Sequence, residues 1–300
     1  MKDIINQIKQ SYKAGDILTR LIFINVGVFF SIKTVQIIFG LFTIIEVHEV
    51  NDAIYKYLAF PSNNLEAALF RFHTVITHMF LHLGFRHIFY NMLSLYFLGR
   101  IFLSYFTPKK FLGLYLLGGF AGLILLEVIL KISPKDQLSL PAHGASAAVM
   151  TIVIGICAYV PKVEVRPFGL FPIKLMYVGM VYFLLDYLFL MEANTGGHIA
   201  HIGGAITGYI FATSEKKGKD ITKGMNSVIS GIVNLFKRKS KLKVVHSQKN
   251  VQNMTDDEYN ENKKYTQKEI DKILDKISAS GYESLSKQEK KDLYNFSNNK

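Results

Sequence analysis

The sequence predicts an all-α polytopic membrane protein, a bundle of six transmembrane helices followed by a small helical cytoplasmic tail. Three observations support this prediction. Half of the 300 residues are hydrophobic and only 19% are charged, which is too apolar for an ordinary soluble protein of this size. Apolar runs long enough to cross a bilayer, which takes about 20 residues each, dominate residues 17–213. From Ser214 onward the chain becomes polar and rich in lysine.

The chain divides into four predicted segments that differ in polarity. They are a cytoplasmic N-terminus at 1–16, a membrane domain at 17–213, a basic amphipathic stretch and linker at 214–262, and a small helical domain at 263–300. The membrane domain is expected to contain six spans, at residues 17–42, 85–106, 111–130, 145–160, 170–190 and 199–213.

Basic residues alternate between the two sides of these spans. Lysine and arginine cluster before the first span, in the second-to-third and fourth-to-fifth turns, and after the sixth span. Because cytoplasmic loops carry the excess of positive charge, both termini are expected in the cytoplasm. The same distribution accounts for the net charge of +12, so nucleic acid is not an expected partner.

Two regions outside the spans have a recognisable pattern. The first outer loop contains "AALFRFHTVITHMFLH", a mixture of charged and apolar residues that suits a segment lying in the membrane interface. The stretch "NSVISGIVNLFKRKSKLKVV" is basic and amphipathic, which favours contact with the anionic inner leaflet.

The C-terminal segment predicts a helical hairpin. Its apolar residues at helical spacing are Ile270, Ile273, Leu274 and Ile277. Gly281 marks a helix end, and Ser286 with Glu289 three residues later is typical of a capping box.

Four polar residues converge on the outer ends of spans two, four and six. His87 and Asn91 share one helix face of span two, Ser146 opens span four, and His201 lies in the first turn of span six. Polar residues inside a membrane are costly and usually face the bundle interior, so each is a functional candidate.

These four residues have the chemistry of a nucleophilic site. A serine needs a base to become a nucleophile, and His201 is an imidazole at matching depth. The Ser146 backbone N–H, His87 and Asn91 could donate hydrogen bonds to an oxyanion. Small residues, with Gly204 and Gly208 on span six and Gly144 beside Ser146, would let the helices approach closely.

Together these residues resemble the rhomboid family of intramembrane serine proteases. Gly144-Ala145-Ser146 is similar to the family's G-x-S motif, Ala200-His201-Ile202-Gly203-Gly204 through Gly208 to its A-H-x-G-G-x-x-x-G motif, and His82 through His87 to Asn91-Met92 to its H-x-x-x-x-H-x-x-x-N-M motif.

The resemblance implies roles, substrates and a location. Ser146 would be the nucleophile, His201 the general base, and His87 and Asn91 the oxyanion-hole side chains. The substrates would be transmembrane proteins, and the location a bacterial inner membrane. The tail resembles a short domain of unknown function that follows some bacterial rhomboids, so the tail's partner stays unknown.

Several further positions bear on the mechanism. Ala147 stands where the family usually has glycine, so its methyl group could crowd the substrate, and Met150 stands where some members have tyrosine. No aspartate partner for His201 is evident in the sequence. Glu127 and Asp186 are expected to snorkel or pair near the interface, with lining of a water-filled cavity as the alternative.

The same residues also have other interpretations. Ser146 alone could be a helix-packing hydroxyl. His78 with His82 lacks an accompanying carboxylate and His198 with His201 lacks a third ligand, so no metal or cofactor is expected. A catalytically silent rhomboid-fold protein that binds or escorts membrane proteins is the main alternative. A transporter would predict interrupted helices or internal symmetry, and the sequence has neither.

Overall fold

The protein is mostly helical, and its chain divides into two units. The computed structural model describes residues 10, 12–44, 46–133, 141–190, 194–236 and 256–298. The units are Met1–Lys237 and Arg238–Lys300. Part of the predicted amphipathic stretch, residues 237–245, lies outside the described residues, so the segment bounds of 214–262 and 263–300 stay predictions. Most of the predicted N-terminal segment, 1–16, lies outside the described residues.

The first unit contains ten α-helices whose bounds the structure describes, together with a two-stranded antiparallel ribbon. The helices are α1 Ile17–Phe42, α2 Val47–Leu58, α3 Leu65–Phe70, α4 Thr74–Thr77, α5 Phe85–Tyr105, α6 Pro108–Ile132, α7 Ser146–Tyr159, α8 Leu175–Leu188, α9 Thr195–Lys216 and α10 Lys223–Phe236. Strands β1 (Glu164–Val165) and β2 (Ile173–Lys174) pair between α7 and α8.

Helix length and apolarity vary along the predicted membrane domain. Among the described residues, α1 and α6 are long and apolar enough to cross a membrane. Helices α7 and α8 are apolar but have 14 residues each, about 21 Å at 1.5 Å per residue, which is short of the roughly 30 Å hydrocarbon core. Helices α5 and α9 are long enough but carry histidine and asparagine or several glycines. The count of six spans therefore stays a prediction.

Close packing of α7 on α9 brings the two main site helices together. A Cβ atom at Gly208 would lie 2.5 Å from the Thr151 carbonyl oxygen and 2.8 Å from the Gly155 nitrogen. Only glycine permits that approach of the two backbones. The buried Thr151 hydroxyl lies 2.8 Å from the Ala147 carbonyl oxygen of its own helix and 2.9 Å from the Gly204 carbonyl oxygen of α9. Backbone contact, rather than long side chains, fixes the relative depth of the two helices.

The segment between α1 and α5 packs against the loop that leads into α7. Phe60 and Ala142 exchange two backbone hydrogen bonds of 2.9 Å, and the Gly144 N–H donates to the His78 carbonyl at 2.7 Å. Two aromatic side chains of the same segment, Phe70 and Phe72, are highly exposed. This exposure suits the predicted position in the membrane interface.

The second unit has the hairpin that its sequence predicted. Helix α11 (Asp256–Ser280) ends at Gly281, whose φ of +77° favours glycine, and α12 spans Lys287–Asn298. The capping box is confirmed, because Ser286 N–H donates to Glu289 Oε2 at 2.6 Å and Glu289 N–H donates to Ser286 Oγ at 3.3 Å.

The buried face of the hairpin differs from the predicted one at a single residue. Ile270 and Ile273 are buried together with Leu285, and Ile277 packs against them. Leu274 is 47% exposed, so its assignment to the buried face was wrong. It follows Ile273 directly and is therefore rotated about 100° away from that residue on a helix of 3.6 residues per turn.

Candidate active site

Ser146 is the first residue of α7, and the loop before it is held by two histidines from the α4–α5 region. Ala145 N–H donates to His82 Nε2 at 3.3 Å. Burial lowers the pKa of His82 to about 4, so at neutral pH the ring is uncharged and can accept that hydrogen bond. Gly144 has a φ of +110°, and a Cβ atom there would meet the His87 ring at 2.5 Å. The loop conformation therefore requires glycine at 144.

The role of Gly144 differs from the one the sequence suggested. Gly144 was predicted to support helix packing together with Gly204 and Gly208. It lies before α7 and packs against the ring of His87 on α5, so it shapes the loop that presents Ser146. Gly204 does lie between helices, where an added Cβ atom would collide with the Ala147 carbonyl oxygen.

His201 lies in the second turn of α9, slightly deeper than the first turn that the sequence suggested, and contacts a carboxylate. Its Nδ1 atom lies 2.6 Å from Asp186 Oδ1, near the C-terminal end of α8. His198 Nδ1, one turn earlier on α9, lies 2.7 Å from the same oxygen. An ionised carboxylate can only accept hydrogen bonds, so the proton of each bond belongs to the histidine Nδ1. The Nε2 atom of neutral His201 is then left with a lone pair.

Asp186 was missed as a neighbour of His201. The sequence predicts snorkelling or pairing of Asp186 at the interface, with cavity lining as the alternative, and indicates no aspartate partner for His201. The Asp186 side chain is 10% exposed and pairs with two histidines, so it pairs as one of the two expectations had it and does not snorkel. The signal available in the sequence was an acidic residue close to the predicted depth of His201, since intramembrane acids are functional candidates by default.

The two proposed oxyanion donors lie on one face of α5. Asn91 is 7% exposed, and its Nδ2 atom donates to the His87 carbonyl oxygen at 2.9 Å. An amide nitrogen has two hydrogens, so this bond occupies one of them and leaves the second for another acceptor.

All four predicted polar residues border one cavity of about 900 Å³. Helices α5, α7 and α9 supply them, in agreement with the three predicted spans. Met150 of α7 borders the same cavity, as does Asp186.

Ala147 is turned toward another helix. A Cβ atom at Gly122 of α6 would lie 2.7 Å from the Ala147 methyl group, so that methyl group packs against α6. Ala147 does not border the 900 Å³ cavity described above. In the 900 Å³ cavity the Ala147 methyl group therefore does not crowd a substrate at Ser146, although Ala147 and Ser146 both border a second cavity of about 50 Å³.

The composition of the Asp186 cluster would also suit a metal ion. The ligand atoms of Asp186, His198 and His201 lie within 4.8 Å of one another. No metal is expected from the sequence, because His198 and His201 lack a third ligand there, and in the structure Asp186 lies where such a ligand would be. The hydrogen bonds of 2.6 and 2.7 Å account for the same proximity with a proton on each Nδ1 atom.

Comparison with known proteins gives two family matches. The family model of the Rhomboid domain matches residues 69–216, which include all four candidate residues. A family of unknown function, DUF6576, matches residues 254–299, the helical hairpin of the second unit. A search of curated proteins found no match to the chain. The protein is therefore an integral membrane protein with a Rhomboid domain at residues 69–216 and a DUF6576 region at its C-terminal end.

Proposed function

We propose that this protein is an intramembrane serine endopeptidase, which hydrolyses peptide bonds in or next to the transmembrane helices of its substrates. Ser146 is the nucleophile and His201 the general base. Both termini are cytoplasmic and the cavity opens on the outer side, in a bacterial inner membrane. The four-segment organisation and the six spans belong to the same proposal.

One observation carries the proposal. Ser146 and His201 come from different helices, 55 positions apart in the sequence, and border one cavity together with two hydrogen-bonding side chains of a third helix. A packing serine needs no imidazole, amide and open cavity around it. A nucleophile needs all three, because it must be deprotonated, must have its oxyanion stabilised and must be reached by substrate.

The chemistry follows from these groups. Ser146 Oγ attacks the scissile carbonyl carbon while its proton passes to His201 Nε2, and the carbonyl electron pair moves onto oxygen. The oxyanion accepts hydrogen bonds from the Ser146 N–H and from side chains of α5. Its collapse breaks the C–N bond, and the leaving amine takes the proton from His201. Water, with His201 again as base, then releases the acyl group and restores Ser146.

Substrate must reach the cavity as unwound chain. A transmembrane helix satisfies its own carbonyl groups, so the scissile bond becomes accessible only where the helix opens. Helix-breaking residues near the cleavage site are therefore expected in substrates. Helix α8 is a candidate gate, since its Tyr182 hydroxyl meets Ser94 of α5 at 2.6 Å beside the cavity.

The test is cleavage of a transmembrane reporter by purified, monodisperse variants, with a fluorophosphonate probe as a second readout. Ser146→Ala and His201→Ala should each remove most of the cleavage, and the double variant should be hardly worse, because the two residues act as a unit. Asn91→Ala should lose about 100- to 1,000-fold, the value of one oxyanion donor. Ser94→Ala, a serine bordering the same cavity, should still be labelled by the probe.

The outcomes separate this proposal from the silent-protein alternative. Unchanged cleavage by Ser146→Ala would end the serine-protease proposal. An inert wild type together with an active Ala147→Gly variant would identify a silenced member of the family that binds membrane proteins. The packing of the Ala147 methyl group against α6 argues against that result.

A further inference from the structure

Asp186 is the one carboxylate within hydrogen-bonding reach of His201 among the described residues. It projects from α8, whereas both histidines project from α9, so the contact joins two helices. The Asp186 side chain is largely shielded from solvent, and it ends on two imidazole Nδ1 atoms at 2.6 and 2.7 Å. Two short hydrogen bonds to a buried carboxylate hold it in one orientation.

The contact has a chemical consequence for His201. Because Asp186 accepts at Oδ1, the neutral ring keeps its proton on Nδ1 and presents Nε2 as the basic atom. The other tautomer would present an N–H where the serine proton has to be received. The same negative charge also stabilises the imidazolium that forms when His201 takes that proton.

His198 makes the arrangement more rigid than a single pair. It donates to the same carboxylate oxygen from one turn earlier on α9, so Asp186 is held from two points of one helix. Rotation of the carboxylate away from His201 would also break the bond to His198. His198 therefore orients the Asp186 carboxylate, and that carboxylate orients His201.

We propose that Asp186 is a positioning residue for His201, and that His198 fixes Asp186 in place. The proposed site is then a serine, a histidine and an aspartate from α7, α9 and α8, in place of a serine and histidine alone. This inference rests on the proposed function, since it assigns Asp186 a part in activating Ser146.

The test replaces the carboxylate with an amide of nearly the same shape. Asp186→Asn should lower kcat for reporter cleavage by about 100- to 10,000-fold, because the amide no longer enforces the tautomer, and the upper value is the loss measured for the corresponding change in a Ser-His-Asp protease. KM should change little, since Asp186 acts through His201. Fluorophosphonate labelling of Ser146 should slow in parallel.

Glu127→Gln is the matched control. Glu127 is a carboxylate on α6 that accepts from the Asn63 backbone N–H at 3.1 and 3.2 Å, and it does not contact either histidine. The same carboxylate-to-amide change there should leave kcat near the wild-type value. Equal losses in the two variants would show a general effect of removing a charge, and would overturn the assignment.

A second measurement does not depend on activity, and its first part uses wild-type protein alone. In wild-type protein with ¹⁵N-labelled histidine, the short Asp186 bonds should give strongly downfield protons attached to ring nitrogens. His198→Gln should remove one of these signals and leave the other. Absence of both signals in the wild type would overturn the proposal.

The measurements together distinguish the two levels of inference. Downfield protons in a wild type that neither cleaves nor labels would mean that the contact exists and that the proposed function is wrong. Wild-type kcat in Asp186→Asn would remove Asp186 from the mechanism and leave Ser146 and His201 in place. Loss of cleavage on chelation, restored by Zn²⁺, would replace the hydrogen-bonded cluster with a metal centre.

Discussion

Gly122 of α6 lies where the segments bearing both proposed catalytic residues meet, so a methyl group there should disturb both. A Cβ atom at Gly122 would lie 2.7 Å from the Ala147 methyl group and 2.8 Å from the Ala200 carbonyl oxygen. Ala147 follows Ser146, and Ala200 precedes His201. Since carbon atoms pack best at about 3.5–4.0 Å, Gly122→Ala should push α7 and α9 away from α6 by up to about 1 Å.

The magnitude follows from that displacement. Overpacking of this kind costs about 1–3 kcal/mol of unfolding free energy. A misplacement of about 1 Å near reacting groups can cost about 100-fold in rate, so Gly122→Ala should lose cleavage as well as stability. Ala147→Gly should lose about 1–2 kcal/mol, from one methyl group and reduced helix propensity, and should keep cleaving. The double variant removes one of the two collisions, so it should recover part of the lost rate.

The assay is reporter cleavage together with thermal unfolding in one detergent, for all three variants and a control. Gly27→Ala is the control, because Gly27 lies inside α1 and an added Cβ atom would meet nothing within 4 Å. It makes the same substitution in a helix without a collision. If Gly122→Ala cleaves and unfolds like Gly27→Ala, the close approach of α7 and α9 to α6 is refuted.

Four further predictions test other parts of the molecule. Tyr182→Phe removes the 2.6 Å hydrogen bond with Ser94, which contributes about 0.5–1.5 kcal/mol to holding α8 closed. If α8 is the gate, kcat/KM for a transmembrane reporter should rise by about 2- to 10-fold. An unchanged kcat/KM would argue against α8 as the gate. Truncation after Lys237 should leave cleavage intact, because it removes only the second unit. Truncation after Lys219 should destabilise the first unit, because it removes the fully buried Thr222 and the helix α10, whose Asn226 packs at Gly113. Equal melting temperatures of the two truncated proteins would contradict this prediction. The Lys276 ammonium and the Ser286 N–H and hydroxyl lower the pKa of Glu289 from 4.5 to about 2. The stabilisation of the hairpin by these contacts is therefore present above about pH 4.5 and is lost as the pH falls toward 2. Circular dichroism of the full chain should show a smaller loss of helix between these pH values in Glu289→Gln than in the wild type. Cysteines placed near Asn194 should react with an impermeant thiol reagent on intact cells, and cysteines placed after Lys219 should not react. The natural Cys157 is buried and should not react in either case. The reverse pattern of labelling would show the opposite orientation in the membrane.

The candidate site shows which features of the structure local sequence patterns predict. Ser146, His201, His87 and Asn91 were predicted because each stands at a fixed place in a helix, and helical periodicity determines which residues share a face. The hairpin of the second unit was predicted for the same reason, since a capping box involves residues only three positions apart. The misassigned Leu274 lies at the edge of such a face, where periodicity alone does not decide burial.

The sequence by itself determined the helical class, the polar residues of three helices and the caps of the tail, because these depend on neighbours within one or two turns. Only the tertiary structure decided that Asp186 meets His201, that His82 holds the Ala145 N–H, and that the Ala147 methyl group faces α6. Those contacts depend on the rotation and depth of each helix relative to its neighbours. Rotation and depth are set by close packing at glycine positions such as Gly122 and Gly208, where many weak contacts act at once. No local pattern along the chain predicts the combined effect of these packing contacts on helix rotation and depth.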